Sequence, residues 1–329
     1  MVKENIRWGI MGPGYISSTF AKDLQQTEGA ELVAVGSKSM ERAEKFAEEF
    51  NIPKAYGDYE EMANDPNIDI VYVGTLHPAH KDNVLTCLRA GKAVLCEKPF
   101  TINAQESKEL ISYARENQLF LMEAMWTRYL PPIVKVREWL QQGLIGEVKL
   151  VQANFGFDIG NQAEGRLLNR ELGGGALLDA GIYPVSFASM VYGQQPSKIM
   201  SSAYLGETGV DERFSLLFEY EGGQKAMLGG AVRLDMVNDA YIYGEKGYIH
   251  VPNFLFSRAA TLHVKGEEPV PFQCERETSG YNFEAIEAMS CLREGRTESS
   301  IMPLDETQQI MQTLDQIRAQ WGLRYPGEE

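Results

Sequence analysis

The stretch "GKAVLCEKPF" (residues 91–100) places an ammonium where packing gives no reason for one. Ala93-Val94-Leu95-Cys96 reads as a short buried strand that runs into Glu97, Lys98 and Pro99. Pro99 fixes its own φ and biases Lys98 toward extended backbone, which stiffens the base of the lysine side chain. A bond to Glu97 or a carbonyl is the plain use of that charge; a reactive pocket is the other. A second set of candidates lies in "GGGALLDAGIYPV" (173–185), where Asp179 and Tyr183 stand four apart. They share one face if the segment is helical. The glycines at 173–175 allow close approach to a ligand, and Pro184 should kink or end the helix directly after Tyr183. Trp126 and Arg128, in "MEAMWTRYLP" (122–131), could line a substrate wall. Trp126 offers a flat apolar face for a ring, with packing between domains as its alternative use.

A different chemistry is written near the start. "GIMGPGYIS" (9–17) gives Gly12-x-Gly14-x-x-Ser17 between a strand pattern and a helix pattern. Gly12 permits a tight turn, Gly14 lets a pyrophosphate reach the backbone, and the helix N-terminus offers free N–H groups. Ser17 is small enough for close helix–strand packing. Gly12, Pro13, Gly14, Tyr15 and Ile16 are therefore the expected dinucleotide cradle. The end of the second strand chooses the dinucleotide: an NAD site normally puts a carboxylate there for the ribose 2′-OH. Here the residues are "GSKSMER" (36–42), with Ser37, Lys38 and Arg42 and no acid at the strand tip. Two cations and the hydroxyls of Ser37 and Ser39 suit a 2′-phosphate, so the expected cofactor is NADP rather than NAD.

The elements must present these residues together. "IRWGIM", "AELVAVGS", "IDIVYVGT" and "KAVLCEK" are strand-like and alternate with amphipathic helices, including "GPGYISSTFAKDL" with Ile16, Phe20 and Leu24 on one face. That alternation predicts a doubly wound parallel sheet with right-handed crossovers, an α/β fold. Ligands bind such a sheet outside its strands' carboxyl ends. Lys98 and Glu97 should stand there, with Thr75, Leu76, His77 and His80 of "GTLHPAHKDN" (74–83) on the same rim. After "LFLMEAMW" the pattern changes to helices around 132–142 and 176–192 and a series of strands with few helices between them. "EGGQ" (221–224) and "GEKG" (244–247) read as hairpin turns, which predicts an antiparallel sheet. The expected domains are 1–125, binding NAD(P), and 126–329, an α+β domain binding substrate.

With 329 residues, 44% hydrophobic and 23% charged, the chain has the make-up of a globular protein of two domains. A formal charge of −15 and a pI near 4.9 disfavour nucleic acid and anionic membranes as partners. The four cysteines lack CxxC spacing, so no metal site is expected, and reduced thiols fit a cytoplasmic protein. The N-terminus has no signal-peptide core, and no apolar run approaches a membrane span.

Together, "GxxGxGxI", "ERA" (41–43), "AGKAVLCEKP" and "GGGALLDAGIYPV" resemble the Gfo/Idh/MocA oxidoreductase family, over nearly the whole chain. "EKPF", "MEAMWTRYLP" and the tyrosine of "DAGIYP" resemble its branch of dimeric dihydrodiol dehydrogenases and NADP-dependent D-xylose dehydrogenases. The resemblance implies a Rossmann domain, a C-terminal domain with a large open sheet often used for dimerisation, and catalysis by Lys98 and Tyr183. Much of the family has histidine where this chain has Tyr183, which favours the tyrosine branch. The implied reaction moves a hydride between nicotinamide and a sugar, polyol or diol. As base near neutrality, Tyr183 must fall roughly three units from about 10, a differential of about 4 kcal/mol. An ammonium ~4 Å away at an effective dielectric near 20 supplies on the order of 4 kcal/mol. Asp179 would orient Lys98 or hold substrate hydroxyls. A non-catalytic NADP sensor on the same fold, or an enzyme that keeps and recycles its cofactor, are the alternatives.

Overall fold

The computed structural model describes residues 5–160 and 165–328, which form two compact units. The first comprises Met1–Trp126 and Glu277–Gln308. Its strands β1 (Ile6–Met11), β2 (Ala30–Gly36), β3 (Lys54–Tyr56), β4 (Ile70–Val73), β5 (Ala93–Glu97) and β6 (Leu121–Ala124) lie in the order β3-β2-β1-β4-β5-β6. Every pairing is parallel. β4 and β5 are buried along their whole length, as their unbroken apolar runs require of strands covered on both faces. Helices α1 (Tyr15–Leu24), α2 (Met40–Phe50), α3 (Tyr59–Ala63), α4 (His80–Arg89) and α5 (Ala104–Glu116) make the crossovers. Strand order reverses between β1 and β4, so the carboxyl ends of those strands open a crevice for a ligand.

The second unit comprises Thr127–Arg276 and Gln309–Glu329. It contains α6 (Pro131–Gln141), β7 (Val148–Gly156), α7 (Ile182–Tyr192), β8 (Lys198–Leu205), β9 (Asp211–Glu219), β10 (Lys225–Ala231), β11 (Ala240–Gly244), β12 (Gly247–Val251), β13 (Ala259–Val264) and β14 (Val270–Gln273). These strands form one sheet in the order β14-β13-β12-β11-β7-β10-β9-β8. The expected antiparallel sheet is mixed: β7 and β10 run parallel, and the other neighbours antiparallel. The two hairpin turns fall where their glycines place them, between β9 and β10 and between β11 and β12. Pro271 sits in β14, an edge strand, where a missing N–H is tolerated.

Two helices close the chain. α8 (Asn282–Glu294) belongs to the first unit; α9 (Leu304–Trp321) gives its first residues to the first unit and the rest to the second. The Asp23 carboxylate at the end of α1 accepts the N–H groups of Ser279 (2.9 Å), Gly280 (2.8 Å) and Tyr281 (2.9 Å), which ties the start of α8 into the Rossmann unit. No helix among the described residues is long and apolar enough to cross a membrane.

One buried acid in the second unit has a measurable signature. Asp211 is fully buried, and its Oδ2 accepts the Leu177 N–H at 2.6 Å. Burial pushes its pKa up to about 7, against the lowering effect of the N–H groups of Leu177 and Ala176 and the charge of Arg318. A carboxyl whose folded pKa lies above its unfolded value binds an extra proton when folded, so stability falls as pH rises from about 4 through 7. The cost above pH 7 is at most about 4 kcal/mol. Asp211→Asn keeps an oxygen acceptor and cannot ionise. Urea unfolding from pH 5 to pH 8 should show the variant gaining on the wild type as pH rises; parallel curves would contradict this.

Candidate functional site

The first unit holds a cavity of about 410 Å³ at the β1/β4 switch point, lined in part by Gly12, Pro13, Gly14, Ser37, Lys38 and Arg42. Gly12 has φ +92°, and a Cβ there would lie 2.6 Å from Thr75 Cγ2, so only glycine fits. Gly14 is the N-cap of α1 and has no side chain to cap it. A Cβ at Gly14 would meet nothing within 4 Å, so the space above the helix N-terminus is open. The amides that an ordinary N-cap would satisfy thus face an open cradle, which suits a pyrophosphate. Ser17 is buried, and its Oγ donates to the Gly12 carbonyl at 2.6 Å, holding the turn from below. Tyr15 is 89% exposed and Ile16 half-buried; neither lines the cavity.

At the end of β2 the cavity wall is cationic. Lys38 and Arg42 are exposed, and Arg42 Nη2 donates to the Pro13 carbonyl at 3.0 Å, tying the cation to the glycine turn. Ser39 Oγ caps α2 by accepting the Arg42 N–H (3.4 Å), and Ser37 Oγ accepts the Ser39 N–H (3.2 Å). Both hydroxyl oxygens accept from backbone, so each O–H hydrogen remains to donate to an anion. The donor set fits a 2′-phosphate. Tyr59, Ala79 and Asn83 also line this cavity, and the sequence reading missed them. Tyr59 opens α3, whose start carried the signal Asp58-x-x-Glu61; Asp58 caps the helix through Glu60 N–H and Glu61 N–H.

The rim residues divide. Thr75 and Leu76 line the cavity, and Asn83 Nδ2 donates to Thr75 Oγ1 at 2.9 Å. His77 is buried and is not among the cavity residues. His80 is a correction to the rim set. Its ring is wholly buried, Nδ1 lies 3.0 Å from the Pro99 carbonyl and Nε2 3.0 Å from the Thr75 carbonyl. Burial lowers its pKa. His80 therefore links the loops after β4 and β5 instead of reaching into the crevice. Lys98 is half-buried at the end of β5, before a cis peptide bond to Pro99. The neighbouring Glu97 is turned inward: Oε1 accepts from the Tyr72 hydroxyl at 2.6 Å and Oε2 from the Lys98 N–H at 3.1 Å.

In the second unit Asp179 and Tyr183 are both buried on the helical segment expected for them. Residues Leu177–Gly181 form a π-helical turn that leads into α7. Pro184 therefore falls in the first turn of α7, where its missing N–H is tolerated, and the helix continues to Tyr192 without the expected break. Asp179 Oδ1 accepts from Arg166 Nη2 at 2.8 Å, a partner the sequence reading missed. Tyr183 packs edge-on against Phe155, centroids 5.6 Å apart.

The two proposed substrate-wall residues are placed differently. Arg128 is buried, and its Nε (3.1 Å) and Nη2 (3.0 Å) donate to Ser186 Oγ, with Nη2 also 2.8 Å from the Ser186 carbonyl. The guanidinium grips α7 one turn past Tyr183, so it steadies the helix and does not offer a free fork. Trp126 is 1% exposed and stacks on Tyr281 at 4.5 Å, which makes it a packing residue of the first unit.

A Rossmann sheet with an uncapped glycine turn, beside a separate unit built on a mixed sheet, has the architecture of a two-domain dinucleotide-binding protein. Residues 6–125 match the oxidoreductase family model with an NAD-binding Rossmann fold, and residues 133–250 match the GFO/IDH/MocA C-terminal domain. The chain belongs to the Gfo/Idh/MocA oxidoreductase family. It is 42% identical, over 97% of its length and 99% of the relative, to trans-1,2-dihydrobenzene-1,2-diol dehydrogenase of Xenopus laevis. The human protein of that name is 40% identical over 98% of this chain and 99% of the relative. Among solved structures, an aldose-aldose oxidoreductase from Caulobacter crescentus superposes with a TM-score of 0.87 at 23% identity, covering 97% and 98% of the two chains. A 3-ketoreductase from Actinomadura kijaniata, solved with NADP and TDP-benzene, gives 0.85 at 22% identity over 96% and 97%. Both likenesses concern the fold.

Two substitutions separate the halves of the cradle. Arg42→Ala removes a charge-assisted donor, so the NADPH dissociation constant should rise on the order of ten- to a hundredfold while that for NADH changes little. Gly12→Ala should abolish binding of both. Fluorescence titration reads both quantities, and equal weakening by Arg42→Ala would remove this residue from the 2′-phosphate site.

Proposed function

We propose that the protein is an NADP-dependent dehydrogenase or reductase acting on a secondary alcohol or hemiacetal of a sugar, polyol or trans-dihydrodiol. The observation that carries the cofactor preference is the cationic, acid-free end of β2 facing the cradle. The full-length relatives named for a trans-dihydrodiol support the diol class, and the buried Tyr183 supports proton transfer. When bound, the nicotinamide accepts or gives the hydride. Tyr183 takes the hydroxyl proton during oxidation and returns it during carbonyl reduction. Lys98 at the end of β5 is the second residue the resemblance implies in catalysis. Asp179, held by Arg166, binds substrate hydroxyls. The first unit binds the dinucleotide through Gly12, Pro13, Gly14, Ser37, Lys38, Arg42, Thr75 and Leu76, and the second binds substrate.

We infer a homodimer formed through the second unit's sheet. An aromatic ladder supports this reading: Tyr241 stacks on His250 at 4.4 Å and Tyr248 on His263 at 4.3 Å, linked by Tyr243. These side chains occupy the half-exposed face of β11, β12 and β13, while Ile242, Ile249 and Leu262 are buried on the other. A cytosolic location fits the free thiols of Cys87, Cys96, Cys274 and Cys291.

A panel of aldoses, polyols and trans-dihydrodiols with NADP, followed at 340 nm, tests the activity. Lys98→Met and Tyr183→Phe should each lower kcat on the active substrate by more than a hundredfold. Tight NADPH binding without turnover on any substrate would identify a sensor instead.

A further inference from the structure

The segment after α9 folds back into a small ion-paired clamp. Arg318, 4% exposed, donates to Glu328 through Nη1 (2.7 Å) and Nη2 (2.9 Å) and to Asp315 at 2.6 Å. The Tyr325 N–H donates to Glu328 Oε2 at 2.7 Å, and the Arg318 guanidinium lies 5.0 Å from the centre of the Tyr325 ring. The consequence is a phenol held 2% exposed, with its hydroxyl donating at 2.6 Å to the Gly174 carbonyl, 151 residues away in sequence.

That carbonyl lies in the loop from which the helix of Asp179 and Tyr183 starts. The same loop is held by backbone bonds as well: Gly174 N–H donates to Asn169 O (2.9 Å), Gly175 N–H to Leu167 O (2.8 Å) and Leu177 N–H to Asp211 Oδ2 (2.6 Å). Gly175 has φ +122°, and a Cβ there would run into Asp211 Oδ1 and lie 3.1 Å from the Tyr325 hydroxyl. Gly175 therefore packs directly against two side chains and has no room for one of its own. The loop passes directly into the π turn of Leu177–Gly181, an irregular geometry that occurs mostly as single turns within helices and frequently at functional sites.

We propose that Tyr325 is a positioning residue for the reaction, its hydroxyl fixing the glycine loop that sets Asp179 and Tyr183. The inference rests on the reading that Tyr183 carries the proton. Tyr325→Phe in the full chain removes one hydroxyl and leaves the Gly174 carbonyl buried without that donor. A displacement of reacting groups by a fraction of an ångström costs on the order of ten- to a hundredfold in rate. The expected result is a fall of that size in kcat, an NADPH dissociation constant within about twofold of wild type, and faster hydrogen exchange confined to amides 174–181. Ile242→Val, which trims the core of the same unit away from the loop, should keep its kcat, which separates lost stability from lost positioning. If the phenylalanine variant does not accumulate folded, Glu328→Ala loosens the clamp from outside and should give the same split at smaller amplitude. Unchanged exchange at 174–181, or faster exchange spread over the whole chain, overturns the clamp whatever Tyr183 does. Local exchange with undiminished kcat also overturns it. Faster local exchange with the expected fall in kcat for Tyr325→Phe, but full turnover in Tyr183→Phe, would instead retire Tyr183 and leave the clamp standing.

Discussion

No side chain fits at position 12. The left-handed φ of Gly12 and the methyl of Thr75 against it admit only glycine where β1 turns into α1, and the turn leaves α1 without a side-chain cap. Everything proposed for the first unit depends on that constraint. The uncapped helix end invites an anion, Ser17 braces the turn from beneath, and Arg42 reaches across to the Pro13 carbonyl so that a second cationic element stands beside the cradle. A side chain at 12 would displace the turn, and with it the placing of Arg42.

The second unit solves a different problem, which is how to hold a helix whose first turns are irregular. α7 follows a π turn, and nothing in its own sequence caps it. It is held by side chains from elsewhere in the unit: Arg128 on Ser186, Asp211 on Leu177 and Tyr325 on Gly174. Arg166 then pairs with Asp179, which stands a turn before Tyr183. A buried acid with a raised pKa and a tightly bonded tail both restrain one short loop. That concentration of restraint is costly unless the loop's position matters.

Much of this was legible in the sequence, for physical reasons. Apolar runs such as "IVYV" and "AVLCE" can only be strands covered on both faces, and a glycine turn between strand and helix has few other uses. β3 and α3 escaped because three and five residues carry too little periodicity. The parallel β7–β10 pair escaped because strand patterns give side-chain alternation and not direction. Individual side chains were harder. His80, Trp126 and Arg128 have the chemistry of site residues, and the fold uses that chemistry internally, on carbonyls, on Tyr281 and on Ser186. The irregularity expected at Pro184 lies just ahead of it, in the π turn of Leu177–Gly181, and the helix then runs on to Tyr192 where an end was the alternative. Tyr325 carried no sequence signal at all; its role comes from a contact spanning nearly half the chain.

Recognition of a ribose 2′-phosphate by the cationic end of β2 is what the first unit's proposed role requires. Competition against bound NADPH by 2′,5′-ADP and by 5′-ADP, followed by the nucleotide's fluorescence at a fixed salt concentration, tests this most directly. The bisphosphate should displace NADPH at a concentration at least tenfold lower than 5′-ADP does. Equal displacement by the two nucleotides would contradict it.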